Sequence, residues 1–146
     1  MAEISAKWYG KAFLSTFNKE ADWNTDTIKV ALFTSSYAVN QDTDQYYDVI
    51  TGEVANGSGY ATGGKTLSTP AIAYDAGTNV FNVDAVDPAA WTGATFTARY
   101  AVVYDDSPGS SKPLLAYIDF GADVTMIAGT FTLTFALGGI CKVTVS

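Results

Sequence analysis

The fold is decided by residues 27–34, which read TIKVALFT. In an extended chain Ile28, Val30 and Leu32 point to one side, and the residues between them point to the other. β-Branched residues are frequent in this run, and neither glycine nor proline interrupts it,. The stretch therefore predicts a β-strand.

Runs of the same kind recur along the chain and are separated by short turn signals such as residues 106–109, DSPG. Many short strands at this spacing are typical of a sandwich or a barrel. We expect an all-β fold, an antiparallel β-sandwich or a partly open barrel. Residues 136–139 (ALGG) separate the last two runs, which predicts a closing hairpin. The further predicted strands are Val80–Asp84, Phe96–Tyr104, Leu114–Phe120, Thr130–Phe135, Ile140–Val145 and, more weakly, Pro70–Tyr74.

Residues 1–20 have a different pattern. Their apolar residues recur at the three- and four-residue spacing of a helical stripe, although aromatic residues and glycine are mediocre helix formers. We therefore expect a short helix or an irregular arm over residues 1–20 and a single β-sandwich domain over residues 21–146. The stripe consists of Ala6, Tyr9, Gly10, Phe13, Leu14 and Phe17.

Residues 35–69 are polar and the least regular part of the chain. A structureless loop of this length is unusual inside a compact domain. The segment is therefore expected either to be a functional excursion or to contain strands that the pattern does not show.

Composition argues against several classes of function. The chain of 146 residues has 8 basic and 15 acidic residues, and its net charge is −7. Scattered lysines and a single arginine argue against nucleic acid and anionic membranes as partners, and no apolar run approaches the ~20 residues that span a bilayer. Histidine, the commonest general base and metal ligand, is absent,. We expect a non-enzymatic protein with no catalytic, cofactor-binding or metal-binding residues.

The acidic residues of the polar segment superficially resemble a calcium loop. Asp42, Asp44 and Glu53 occupy ligand positions of the EF-hand pattern,. Tyr46 and Tyr47 stand where that pattern needs an oxygen ligand and a glycine. A solvated acidic loop is therefore the favoured interpretation.

Residues 59–66 (GYATGGKT) match the spacing of a phosphate-binding loop,. Such a loop must follow a buried strand and open a helix, and Pro70 shortly downstream blocks a helix. The match is therefore interpreted as accidental.

The sequence contains two further kinds of group that could act in catalysis, carboxylates and one thiol. Asp105 and Asp119 stand at predicted strand ends, where an aspartate usually bonds backbone amides, so a carboxylate-dependent hydrolase is disfavoured. Cys141 has no histidine to activate it and is expected to pack in the core.

Exposed aromatic residues are the candidates for contacts with other molecules. The arm with Trp8, Tyr9, Phe13 and Phe17 is predicted to reach a neighbouring protein, with packing over one end of the sandwich as the alternative. Trp91 carries the same two interpretations. In the acidic segment, Tyr46 and Tyr47 could stack on sugars.

Five sequence blocks follow one another in a distinctive order. They are residues 23–32 (WNTDTIKVAL), 59–64 (GYATGG), 98–104 (ARYAVVY), 114–121 (LLAYIDFG) and 129–133 (GTFTL). In this order the blocks resemble a family of small virion structural proteins of tailed bacteriophages, and the resemblance extends over roughly Lys11 to Val145.

The resemblance implies a part of the virion. It implies a capsid decoration, or cement, protein that is made in the host cytoplasm and binds the major capsid protein and copies of itself on the capsid surface. Homotrimers are expected by analogy alone. The alternatives are a tail or neck structural protein and a carbohydrate-binding module on the virion surface. The resemblance carries over no catalytic residue.

Overall fold

Eight strands form two antiparallel sheets in residues 6–146, the part of the chain that the computed structural model describes. One short helix, α1, and a 3-10 turn at Tyr47–Val49 complete the regular structure of this part. The elements are β1 (Lys7–Trp8), α1 (Lys11–Phe17), β2 (Ile28–Phe33), β3 (Lys65–Thr66), β4 (Ser68–Asp75), β5 (Val80–Val86), β6 (Trp91–Asp105), β7 (Leu114–Phe131) and β8 (Cys141–Thr144).

The two sheets pack against each other, which confirms the predicted all-β sandwich. The larger sheet has the strand order β1-β7-β6-β2-β3, and the smaller has the order β4-β5-β8. Residues 28–33 form a strand as predicted, and β6 lies beside it along its whole length. Because β1 pairs with β7, residues 7 and 8 belong to the larger sheet and do not form a free arm.

The larger sheet is covered on both faces. One apolar row, Ile28, Val30 and Leu32, is fully buried. Phe33 and Tyr104 belong to the opposite face, and rings from outside the sheet cover them. The covering contacts are Tyr37 on Phe33, Tyr47 on Tyr104, and Tyr9 on Tyr117, with ring centroids 5.0, 4.0 and 5.0 Å apart. Part of the irregular segment 35–69 is therefore an aromatic layer over the sheet.

The predicted strands Leu114–Phe120 and Thr130–Phe135 are wrong in their bounds. A single strand, β7, runs from Leu114 to Phe131 and pairs with β6, with several bulges between them. Gly121 has a φ of +80°, a conformation that favours glycine. The stretch after it, residues 122–130 (ADVTMIAGT), does not show the alternation of a half-buried strand, and residues 119–130 are largely exposed.

The predicted hairpin through residues 136–139 does not form. Strand β8 pairs with β5 in the smaller sheet, with Cys141 opposite Val83. Both side chains are buried, so apolar packing in the core places β8 there. The residues 136–139 form a tight turn, in which the Gly139 amide donates to the Ala136 carbonyl over 3.0 Å.

Candidate functional site

Helix α1 exposes its large apolar residues and buries its small ones. Ala12 and Ser15 are buried, and the helix packs beside β7. With 100° of rotation per residue, Phe17 lies on the side opposite the buried pair, with Phe13 and Leu14 to either side of it. Their exposed fractions are 38% for Phe13, 56% for Leu14 and 85% for Phe17. We call Phe13, Leu14 and Phe17 the α1 face.

The apolar stripe of the sequence is therefore exposed along the helix. A surface helix normally turns such a stripe toward the core, but Phe13 and Phe17 lie in solvent, where a residue must lie to contact a neighbouring protein. The helix begins only at Lys11, and its buried side lies close enough to β7 that Ala12 and Ser15 fill the space. The large side chains are left in solvent.

The base of the helix is fixed by hydrogen bonds on both sides. The Tyr9 amide donates to the Leu115 carbonyl over 3.1 Å, and the Gly10 amide donates to the Gln41 carbonyl over 2.9 Å. The Trp8 indole donates to the Lys142 carbonyl over 3.0 Å. Its ring lies 5.2 Å from that of Phe13. Half-buried Trp8 therefore forms the border of the α1 face, which is presented by a rigid support.

Tyr9 and Trp91 offer no surface to a partner. Tyr9 is 0% exposed and Trp91 is 2% exposed. The hydroxyl groups of Tyr9 and Tyr37 lie 2.8 Å apart, and the ring of Trp91 packs 5.6 Å from that of Phe131. For both residues the alternative of packing within the sandwich is the correct one.

Tyr47 uses its ring and its hydroxyl inside the molecule. The ring is stacked on Tyr104 at 4.0 Å and 4°, so that ring face is not available to a sugar. The hydroxyl donates to Glu53. Burial and this hydrogen bond both raise the pKa of Tyr47 above its usual range, which keeps the hydroxyl protonated as a donor.

Tyr46 is half-buried and also has internal partners. Its hydroxyl donates to Glu20 over 3.2 Å and accepts a bond from the Gln45 side-chain amide over 3.0 Å. Tyr46 and Tyr47, the candidates for stacking on sugars, therefore fasten the irregular segment to the rest of the molecule.

The acidic residues that resembled a calcium loop are held in separate networks. Glu53 accepts from the Tyr60 hydroxyl over 2.7 Å and from the Gly63 amide over 2.6 Å. Asp44 instead accepts from the Tyr37 hydroxyl over 2.7 Å and from the Asn40 amide over 2.9 Å. Residues 6–146 contain no cluster of three or more acidic, cysteine or histidine side chains with the geometry of a metal site.

The sequence that matches a phosphate-binding loop does not open a helix. Lys65 and Thr66 form β3, which pairs with β2. Gly64 has a φ of +71°, and a Cβ atom there would lie 1.9 Å from the Val30 carbonyl oxygen. The glycine is therefore required for close packing of two backbones, and the accidental interpretation of the motif fits the structure.

The remaining candidate nucleophile and acids are also engaged internally. Cys141 is buried, and burial raises the pKa of its thiol to about 12, so it is not a thiolate at neutral pH. Asp119 accepts from Arg99 over 2.9 Å. Asp105 is fully buried. None of these groups lies free in an open cleft.

Comparison with known proteins gives no match: no family model, no curated protein and no solved structure is significantly similar to this chain. The resemblance to phage virion proteins therefore stays a prediction. No helix in residues 6–146 is long and apolar enough to cross a bilayer.

Proposed function

We propose that the chain is a non-enzymatic structural protein of a tailed-phage virion, and specifically a capsid decoration protein. In this proposal it is made in the host cytoplasm and binds the major capsid protein and copies of itself on the capsid surface. The observation that carries the proposal is the α1 face. A rigid β-sandwich that turns two phenylalanines and a leucine outward has the surface expected of a protein that attaches to another.

The energetics suit attachment in many copies. Burying a large apolar side chain contributes about 1.5–3 kcal/mol, and Phe17 is 85% exposed before any contact is made. A few such side chains give a modest affinity for one copy. On a shell of repeated sites, contacts between neighbouring copies add to each binding event. The net charge of −7 limits non-specific aggregation of free copies in solution.

The test is binding to capsids that lack this protein. Purified chain is mixed with such particles, and the bound fraction is measured by co-sedimentation over a range of concentrations. We expect saturable binding by the wild-type protein. Phe17→Ser should weaken binding about tenfold or more, because a loss of about 1.4 kcal/mol corresponds to that factor.

Ile127→Ser is the matched control, because Ile127 is 80% exposed and lies far along β7 from the helix. Both variants should keep the wild-type unfolding midpoint, since neither side chain is in the core. Equal binding by the two variants would contradict the role of the α1 face. Binding confined to tails or necks would replace the capsid assignment with the alternative one.

A further inference from the structure

Strand β4 is an edge of the smaller sheet and is almost entirely in solvent. Every residue from Ser68 to Asp75 is exposed except half-buried Pro70. The strand contacts only β5 in its sheet. An edge of this kind presents unpaired backbone groups to any further strand.

The outward backbone groups of β4 are those of Ile72 and Tyr74. The Val83 carbonyl accepts from Ile140, and the Asn79 carbonyl accepts from Val145, so the odd-numbered residues of β5 bond toward β8. The even-numbered residues of β5 must then bond toward β4, because the direction alternates along a strand. Their partners are residues 71, 73 and 75. The amides and carbonyls of Ile72 and Tyr74 therefore point away from the sheet.

The side chains of the same two residues form an apolar edge. Ile72 lies beside Val83 and Tyr74 lies beside Phe81 on the sheet face that carries buried Cys141. Although this is the core side of the sheet, Ile72 is 47% exposed and Tyr74 is 53% exposed. No lysine protects the edge, which is the usual defence of an exposed strand.

We propose that β4 pairs with β4 of a second copy of this chain, antiparallel and about a two-fold axis at Ala73. Ile72 of each copy then lies opposite Tyr74 of the other. Both Ile72–Tyr74 pairs are hydrogen-bonded pairs, in which the two facing residues exchange two backbone hydrogen bonds. The three-stranded sheets of the two copies join into one continuous sheet.

The sequence of β4 favours this register over its neighbours. Centring the axis on Ile72 would place Tyr74 opposite Pro70, which has no amide to donate. Centring it on Tyr74 would place Ile72 opposite the turn at Ala76 and bring the two Asp75 carboxylates closer together. With the axis at Ala73, the prolines lie outside the paired region and each Asp75 faces Ala71 of the other copy. This register also places the β-branched Ile72 opposite the aromatic Tyr74, which is a favourable cross-strand pair.

The contact is small, so free copies should associate weakly, and the fraction of dimer should rise with protein concentration. It does not depend on the protein's place in a virion. The homotrimer implied by the phage resemblance would need a different surface, because a two-fold contact of identical strands closes after two copies.

The test is cysteine cross-linking at the axis. In the proposed pair the two Ala73 residues face each other without hydrogen bonds, with Cα atoms about 4.5 Å apart, which a disulfide can bridge. Ala73→Cys should therefore give a covalent dimer under mild oxidation, seen on a non-reducing gel. Ala71→Cys is the matched control, since its two copies would lie about 14 Å apart. Native Cys141 is buried and is present in both variants.

A second variant tests the strand pairing itself. The Tyr74 amide is free in the monomer, so adding Tyr74→Pro to Ala73→Cys removes no backbone bond within one copy. It removes one exposed side-chain bond, from the Tyr74 hydroxyl to Asn79 over 3.1 Å. We expect the double variant to fold and to lose the cross-link. Failure of Ala73→Cys to cross-link, cross-linking of Ala71→Cys to the same extent, or a cross-link that survives Tyr74→Pro would each overturn the proposal.

Discussion

Replacing the buried Asp105 by asparagine should stabilise the protein at neutral and alkaline pH. Asp105 is fully buried. One of its carboxyl oxygens accepts from the Ser107 amide over 2.8 Å. The other oxygen has no donor and faces the carboxyl group of Asp26. These two carboxyl groups can form a hydrogen bond with each other only when they share a proton. Burial, with Asp26 adding to it, raises the pKa of Asp105 from 3.8 to about 7.

The direction of the pH effect follows from proton binding. Between pH 3.8 and about 7 the folded protein keeps the Asp105 proton that the unfolded chain has lost. The free energy of unfolding therefore falls as pH rises through this interval and levels off above it. At about 1.4 kcal/mol per pH unit, Asp105 lowers stability at pH 8 by at most about 4 kcal/mol relative to pH 4.

The assay is urea unfolding of the wild-type protein and Asp105→Asn at pH 4, 6 and 8. The asparagine amide can donate to Asp26 and its oxygen can accept from Ser107, so it resembles the protonated acid at every pH. We expect nearly equal stabilities at pH 4 and an advantage of about 2–4 kcal/mol for the variant at pH 8.

Asp106→Asn is the control for this experiment. Asp106 lies next in the chain but accepts from Lys112 over 2.7 Å and lies 3.4 Å from Lys29. Its replacement should cost up to about 1 kcal/mol at pH 8, a change of the opposite sign. A pH profile for Asp105→Asn that runs parallel to the wild-type profile would refute the reasoning.

Three further predictions concern stability and are read from urea or thermal unfolding. Gly64→Ala should prevent stable folding, because the new Cβ atom would collide with the Val30 carbonyl. Gly93→Ala, also at positive φ but with open space around it, should lower the free energy of unfolding by only about 1 kcal/mol. Equal effects of the two substitutions would contradict the close packing at Gly64. Tyr47→Phe should cost about 1–2 kcal/mol, because Glu53 loses a donor while the stacked ring remains,, and an unchanged midpoint would count against that network. Trp91→Ala should cost about 3–5 kcal/mol through the cavity beside Phe131,, so a loss below 1 kcal/mol would mean that Trp91 is not in the core.

The sequence predicts a strand correctly where the neighbouring residues show both its alternation and its two ends. Residues 27–34 alternate and are bounded by polar residues, and the structure has β2 at Ile28–Phe33. The continuation of β7 past Gly121 could not be predicted in this way, because pairing with β6 defines that half of the strand and most of its side chains are in solvent. The partner of β8 was missed for a related reason: burial beside Val83 outweighs the local preference for a hairpin.

The candidate site was predicted in part. Phe13 and Phe17 were selected as surface residues from an arm, and the structure places both on the exposed side of α1. Leu14 belongs to the predicted helical stripe but not to the predicted contact residues, because only the aromatic residues of the segment were chosen. The small size of Ala12 and Ser15 is the sequence signal for the side of the helix that packs against the sheet. The edge residues Ile72 and Tyr74 belong to a strand whose exposure depends on the extent of the larger sheet, which no local pattern reveals.

The central claim is that this chain is a structural part of a virion that attaches through the α1 face. Electron cryo-microscopy of the intact particle tests it most directly. We expect density for the sandwich on the outer surface of the capsid, with Phe17 buried against a neighbouring subunit. Particles that lack such density on the shell, or that show the helix turned to solvent, would contradict the account.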